Sequence, residues 1–172
     1  AGKEPDIERI REIVSEAFMP IAYGGGVNDI ETIRNLLLAG VEKVVLGTAA
    51  HANPGLIKQA AERFGSQAII VSVDVHKNFF GKSGTYHTNG KNNTGLSPVA
   101  YAKQAEVNGA GELLLHHIDR EGTRTGFDLA LISEISQAVS IPVIACGGAN
   151  SISDFHQAVQ NVVRIALRNS ER

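Results

Sequence analysis

The chain has 172 residues, 43% hydrophobic and 20% charged, with a net charge of −2. That is enough material for one buried core, and the charge balance gives no electrostatic reason to expect nucleic acid or an anionic membrane as partner. The single cysteine, Cys146, excludes an internal disulfide framework and fits a reducing, cytoplasmic setting, and no apolar run is long enough for a transmembrane helix.

In chain order, short apolar runs alternate with stretches of helical periodicity. The start, Ala1-Gly2-Lys3-Glu4-Pro5-Asp6, is polar, with no signal-peptide core and no initiator Met, which fits a processed or partial chain. A helix is predicted from Asp6 to Ala17, with Ile7, Ile10, Ile13, Val14 and Ala17 on one face. The run Met19–Tyr23 reads as a buried strand. It is followed by Gly24-Gly25-Gly26 and a helix starting near Asn28, with Glu31 three residues on as in a capping box. A second strand, Lys43–Leu46, leads to a helix that opens on Asn53-Pro54. A third strand, Ala68–Val73, precedes a long polar connection, His76 to Thr94, that begins with Phe79 and Phe80. This connection reads as a small hairpin or a flap over the strand tips. Ser97-Pro98 opens the fourth helix. The strand Leu113–His116 runs into the glycine-punctuated loop Asp119–Gly126, and a helix starts near Asp128. The strand Pro142–Ala145 ends in Gly147-Gly148, and a last helix starts at Ser151, with Asp154 three residues on.

Continuously apolar strands separated by amphipathic helices mean a parallel sheet buried on both faces. The fold class is therefore α/β, an incomplete (β/α)8 TIM barrel of about five parallel strands and six helices. Gly24–Ile30 and Gly147–Ile152 echo each other, each following a strand and opening a capped helix, half of an eightfold barrel apart. Residues 1–161 are read as the partial barrel. The stretch 162–172 shows no Gly-Ser or Gly-Thr turn and no match to the earlier half, so by its internal standard the chain stops before an eighth strand.

A glycine-rich turn from a strand into a helix N-terminus bares several backbone N–H groups beside the positive end of the helix dipole, which suits a phosphate. The same glycines also serve plain tight turns, but two matched pairs favour phosphate. The loop Asp119–Gly126 would line the second cup through Gly122, with Arg120 or Arg124 adding charge. Asp74, after Ile69–Val73, has the position of a catalytic carboxylate at a barrel strand tip, or of a turn-forming aspartate. Asp119 has a similar place but sits where it would hold the loop. His116 and His117 alternate across a strand, so one faces inward. Two adjacent histidines chelate poorly and no Cys or carboxylate lies at ligand spacing, so no metal and no cofactor are expected. Cys146 reads as a small buried hydrophobe, with no base placed to activate it.

Taken together, Tyr23-Gly24-Gly25-Gly26, Phe64-Gly65-Ser66-Gln67, Val73-Asp74, Gly90–Gly95, Gly109-Ala110-Gly111-Glu112, Ile118–Thr123 and Ala145–Ala149 resemble, in order and spacing, the cyclase subunit of imidazole glycerol phosphate synthase. Met19–Tyr23 and Phe79-Phe80-Gly81-Lys82 are closer still to paralogues found with lipopolysaccharide sugar genes. The resemblance covers about residues 2 to 160 and places residues 1–161 at family strands 3 to 7, with 162–172 unmatched. It implies a (β/α)8 cyclase/lyase that receives ammonia from a glutamine amidotransferase and closes the ring of a bisphosphate with two aspartates, on strands 1 and 5. Asp74 would be the strand 5 aspartate. Gly25, Gly26, Gly47 and Thr48 would form one phosphate cup, and Gly122, Gly147 and Gly148 part of the other. Lys43 would stand at the ammonia entrance on the opposite face. Gly47 replaces the asparagine usual in the histidine enzyme. The other aspartate would precede residue 1, so the expectation is a phosphate-binding barrel fragment without full cyclase activity alone, self-associating to cover its open edges. The competing expectations are an active ammonia-dependent cyclase, completed by self-association or by an amidotransferase, and a purely structural domain without phosphate affinity.

Overall fold

A computed structural model describes residues 4–78, 81, 83–88 and 90–160. They form two compact units: the residues up to Ser72 with Ala105–Glu112, and Val73–Gln104 with the residues from Leu113 on.

The first unit starts with α1 (Ile7–Glu16), whose N-cap Asp6 accepts a hydrogen bond from the Arg9 N–H at 3.1 Å. It continues through β1 (Ala22–Gly24), α2 (Ile30–Leu38), β2 (Lys43–Leu46), α3 (Thr48–Ala52) and α4 (Pro54–Phe64) into the first part of β3 (Ile69–Lys77). β1 and β2 are parallel, with Gly24 opposite Val45, and β2 and β3 are parallel, with Leu46 opposite Val71. Ile33 and Leu36 of α2, Val44 and Leu46 of β2, Ile57 and Ala60 of α4, and Ile69 and Val71 of β3 are buried together as its core. Each large aliphatic side chain among them contributes about 1.5–3 kcal/mol by leaving water.

The second unit holds the rest of β3, then β4 (Ser83–His87), β5 (Asn92–Asn93), the start of α5 (Pro98–Val107), β6 (Glu112–His117), α6 (Leu129–Ala138) and β7 (Val143–Cys146). Residues 152–160 are helical. β6 and β7 are parallel, with His116 opposite Cys146, and β6 also pairs with β3. β4 runs antiparallel to β3, with Tyr86 opposite Asp74, and β5 runs antiparallel to β4. No helix among the described residues is long and apolar enough to cross a membrane.

The class is α/β, with the strand–helix alternation of an incomplete (β/α) barrel. Five strands, β1, β2, β3, β6 and β7, fall on the five predicted runs. Four local differences have physical causes. β1 begins at Ala22 because Phe18 and Met19 are exposed, not buried. β3 runs on to Lys77, past Asp74, because the hairpin strand β4 supplies it with an antiparallel partner. α2 is capped by Asp29, whose Oδ1 accepts the Thr32 N–H at 2.7 Å, while the Asn28 amide is spent on the Gly26 carbonyl at 3.1 Å. α3 is a single short helix that its small residues did not announce. The described residues of the long connection include the antiparallel strands β4 and β5, a hairpin, which is one of the two forms expected of it. At the last helix, the Asp154 carboxylate accepts the N–H groups of Asn150 and Ser151 at 2.9 and 2.8 Å, as a capping carboxylate does. Residues 162–172, like Phe79 and Phe80, lie outside the described residues.

Candidate functional site

In the first unit, two neighbouring parallel strands end in glycine turns. β1 passes through Gly25 and Gly26, with φ of +110° and +70°, a left-handed path that favours glycine. A β-carbon on Gly25 or on Gly47 would meet nothing within 4 Å, so the space over both turns is open. Gly47 is the N-cap of α3, and Thr48 is that helix's first residue. Gly24 and Val45 are register partners, so the two turns leave the same end of the sheet from strands about 4.8 Å apart. The fold thus brings Gly25, Gly26, Gly47 and Thr48 together. Lys43 starts β2, roughly 13 Å from Gly47 by strand rise. It is ion-paired with Glu112, both side chains being largely buried.

In the second unit, burial alternates along β3. Val73 and Val75 are buried, and Asp74 and His76 are half-buried on the other face. β6 alternates likewise, with Leu115 and His117 buried and His116 half-buried. His116 therefore faces Asp74, its Nδ1 3.5 Å from Asp74 Oδ1, and its Nε2 lies 3.7 Å from Glu121 Oε2. The Asp74 hydrogen bond, against the opposing effect of burial, holds the His116 imidazole above its ordinary pKa. Burial, with the Asp74 charge adding to it, pushes the Tyr101 phenol well above its usual range. Cys146, across the register from His116, is half-buried, and burial and the Glu121 charge push its thiol up. A base does lie beside this cysteine, contrary to expectation, but the raised pKa leaves the thiol protonated and a poor nucleophile.

The opposite face of β6 is structural. His117 is 3% exposed, lines a small cavity with Phe127, Asp128 and Leu131, and has Nε2 3.4 Å from Asp128 Oδ2. Burial lowers its pKa, although Asp128 and Asp119 pull the other way. Asp119 braces the loop: Oδ2 accepts the Lys77 N–H at 2.8 Å, and the other oxygen meets His76 Nδ1. Arg120 donates to the Gly126 carbonyl at 3.0 Å and lies 4.0 Å from Asp128, so its charge is spent within the loop. Arg124 is exposed, as is Gly122, over which space is open. Gly147 and Gly148 are buried. A β-carbon on Gly148 would sit 2.3 Å from the Gly126 carbonyl oxygen, and one on Gly147 would sit 2.7 Å from that of His117. Packing alone thus demands glycine at both positions.

Sequence reasoning singled out Asp74 but did not foresee its neighbours. Glu121 and Tyr101 carried no signal of their own. His116, Glu121 and Cys146 offer ligand atoms within 4.8 Å of one another, although nothing in their spacing along the chain suggested a chelate. The pairing register of β6 with β7 sets His116 beside Cys146, and the loop after β6 brings Glu121 to them.

Parallel strands alternating with helices, with glycine turns and a carboxylate–imidazole pair towards their C-terminal ends, define a protein of the (β/α)-barrel class. Over residues 1–168 the sequence matches the family described as "Histidine biosynthesis protein". It is 44% identical over 154 residues to a Pseudomonas aeruginosa protein provisionally named imidazole glycerol phosphate synthase subunit hisF2, covering 90% of this chain and 61% of that protein. It is 40% identical over 152 residues to "Imidazole glycerol phosphate synthase subunit HisF" of Alkaliphilus metalliredigens, covering 88% of this chain and 60% of that one. The chain belongs to the histidine biosynthesis protein family and is HisF-like. It spans about three fifths of the length of these curated relatives.

Proposed function

We propose that the chain is a phosphate-binding portion of an imidazole glycerol phosphate synthase-type cyclase. Gly25, Gly26, Gly47 and Thr48 hold one phosphate of the substrate, and Gly122, Gly147 and Gly148 contribute backbone to the other. Asp74 is the acid–base group. Ammonia arrives from a glutamine amidotransferase partner on the side marked by Lys43. The observation that carries this reading is the pair of open turns on neighbouring strands β1 and β2. Bared amides beside helix N-termini bind phosphate without any cationic side chain.

Within residues 1–172 the family resemblance matches one of the two aspartates. Proton transfer by a positioned side chain is worth about 10²–10⁴-fold, so these residues alone bind phosphate but turn over slower by that order. Calorimetry with inorganic phosphate tests the binding. Gly47→Asp places a carboxylate in the open cup and should abolish binding. Because Gly47 has φ −112° and ψ −107°, a backbone that residues with a side chain disfavour, Gly47→Ala is its control and should keep binding. A wild-type chain that binds no phosphate refutes the reading. In light scattering after size exclusion, the chain runs as a self-associated species; a soluble monomer counts against that part.

A second reading, a fully active ammonia-dependent cyclase, is favoured by one observation: Asp74 and Glu121 flank the same imidazole. Glu121 would then act as the second carboxylate. Turnover with ammonia and the family substrate that is lost in both Asp74→Asn and Glu121→Gln supports it. Comparing that substrate with a lipopolysaccharide-sugar precursor separates the two pathway settings.

A further inference from the structure

We propose that His116, Glu121 and Cys146 form a binding site for a divalent transition-metal ion of the zinc type. The proposal stands on its own geometry and does not rest on the phosphate reading. The three donors come from β6, from the loop after it and from β7, and their ligand atoms lie within 4.8 Å of one another. His116 and Cys146 are register partners on adjacent parallel strands, so their side chains share one face.

Around a tetrahedral zinc, ligand atoms stand roughly 3.3–3.8 Å apart, given metal–ligand bonds of about 2.0–2.3 Å. His116 Nε2 and Glu121 Oε2 are already 3.7 Å apart. The pairs that involve Cys146 lie within 4.8 Å, so closure takes at most on the order of 1 Å, within reach of a turn about χ1 of Cys146 together with a rotamer change in Glu121, whose side chain is 58% exposed. Imidazole, thiolate and carboxylate together suit zinc or cobalt and not magnesium or calcium. Three protein donors leave a fourth position for water or an anionic oxygen.

His116 also has the outer partner that metal-bound histidines carry. Its Nδ1 faces Asp74 at 3.5 Å, which fixes the tautomer that presents Nε2 to the ion. On binding, the Cys146 thiol gives its proton to solvent and its sulfur lone pair to the metal. Asp74 is then the positioning residue of the site, held to the imidazole.

The test uses residues 1–172, stripped with a chelator and titrated with Co²⁺. Cys146 is the sole cysteine, so a thiolate-to-cobalt charge-transfer band can have only one source. One Co²⁺ per chain is expected, with that band and with intense visible bands of tetrahedral cobalt, both removed by Zn²⁺. Cys146→Ser should delete the charge-transfer band. Asp74→Asn should weaken binding about 10–100-fold without removing the band, as loss of an outer partner does. Glu121→Gln lies on an exposed loop, keeps the fold testable if Cys146→Ser does not fold, and should weaken binding at least tenfold. Absence of the band in the wild-type chain overturns the proposal, and so does a band whose affinity neither Glu121→Gln nor Asp74→Asn changes.

Discussion

Gly148→Ala separates a packing role for the second glycine turn from a ligand role. Gly148 has φ of +93°, where an alanine costs about 1–2 kcal/mol in backbone strain. The added β-carbon would lie 2.3 Å from the Gly126 carbonyl oxygen and 3.1 Å from Arg120 Cβ. A carbon needs at least about 3 Å from that oxygen, so the loop Arg120–Gly126 must retreat by roughly 0.7–1 Å. That retreat breaks the hydrogen bond from the Gly126 N–H to the Gly148 carbonyl, now 2.7 Å, and loosens the bond from Arg120 to Gly126. Each such bond is worth about 1 kcal/mol, so the total loss is about 2–4 kcal/mol. For a chain of this size the midpoint of thermal unfolding falls by roughly 4–15 °C. The control is Gly122→Ala, also at positive φ (+71°) but with nothing within 4 Å, which should cost only about 1–2 kcal/mol. Urea titration of both variants without phosphate gives the comparison. If Gly148→Ala is no less stable than Gly122→Ala, the loop does not rest on Gly148 and the packing argument is wrong.

Asp29→Ala removes the α2 cap and should cost about 1 kcal/mol at neutral pH. The Thr32 N–H holds the Asp29 carboxyl below its ordinary value, so this contribution is present above pH 3.8 and is lost as the pH falls through the lower folded value. Urea curves of wild type and variant should therefore differ at neutral pH and converge at strongly acidic pH. Asp74→Asn should bring the His116 titration down in an imidazole NMR experiment and leave that of His117 in place, because Asp74 raises the first and burial governs the second. Glu112→Ala leaves the Lys43 ammonium without its partner in a largely buried setting, and should cost about 1–3 kcal/mol in denaturant.

The fold was legible where local chemistry decides. The β-branched runs Lys43–Leu46 and Ile69–Val73 became strands, and Ser97-Pro98 and Asp128 opened helices with their side chains accepting N–H groups of Ala100 and Leu131. Met19 was misread as strand because an apolar residue looks the same in sequence whether or not anything covers it. Asp74 stood out by its place after an apolar run, yet the strand continues past it, because the partner that extends β3 comes from residues after His76. Arg120 and Arg124 could not be told apart in sequence, and only the folded loop shows the first bonded into it and the second exposed.

By itself the sequence determined the α/β class, the strand–helix order, the glycine turns and the family, since periodicity, caps and motifs are local properties of the chain. Tertiary structure alone decided which side chains share a face. The register of β6 against β7 sets His116 beside Cys146 and turns His117 away from it. The close approach of Gly126 to Gly148 is what requires a glycine there. Both depend on distances between segments far apart along the chain, which the pairing of strands fixes and no local pattern encodes.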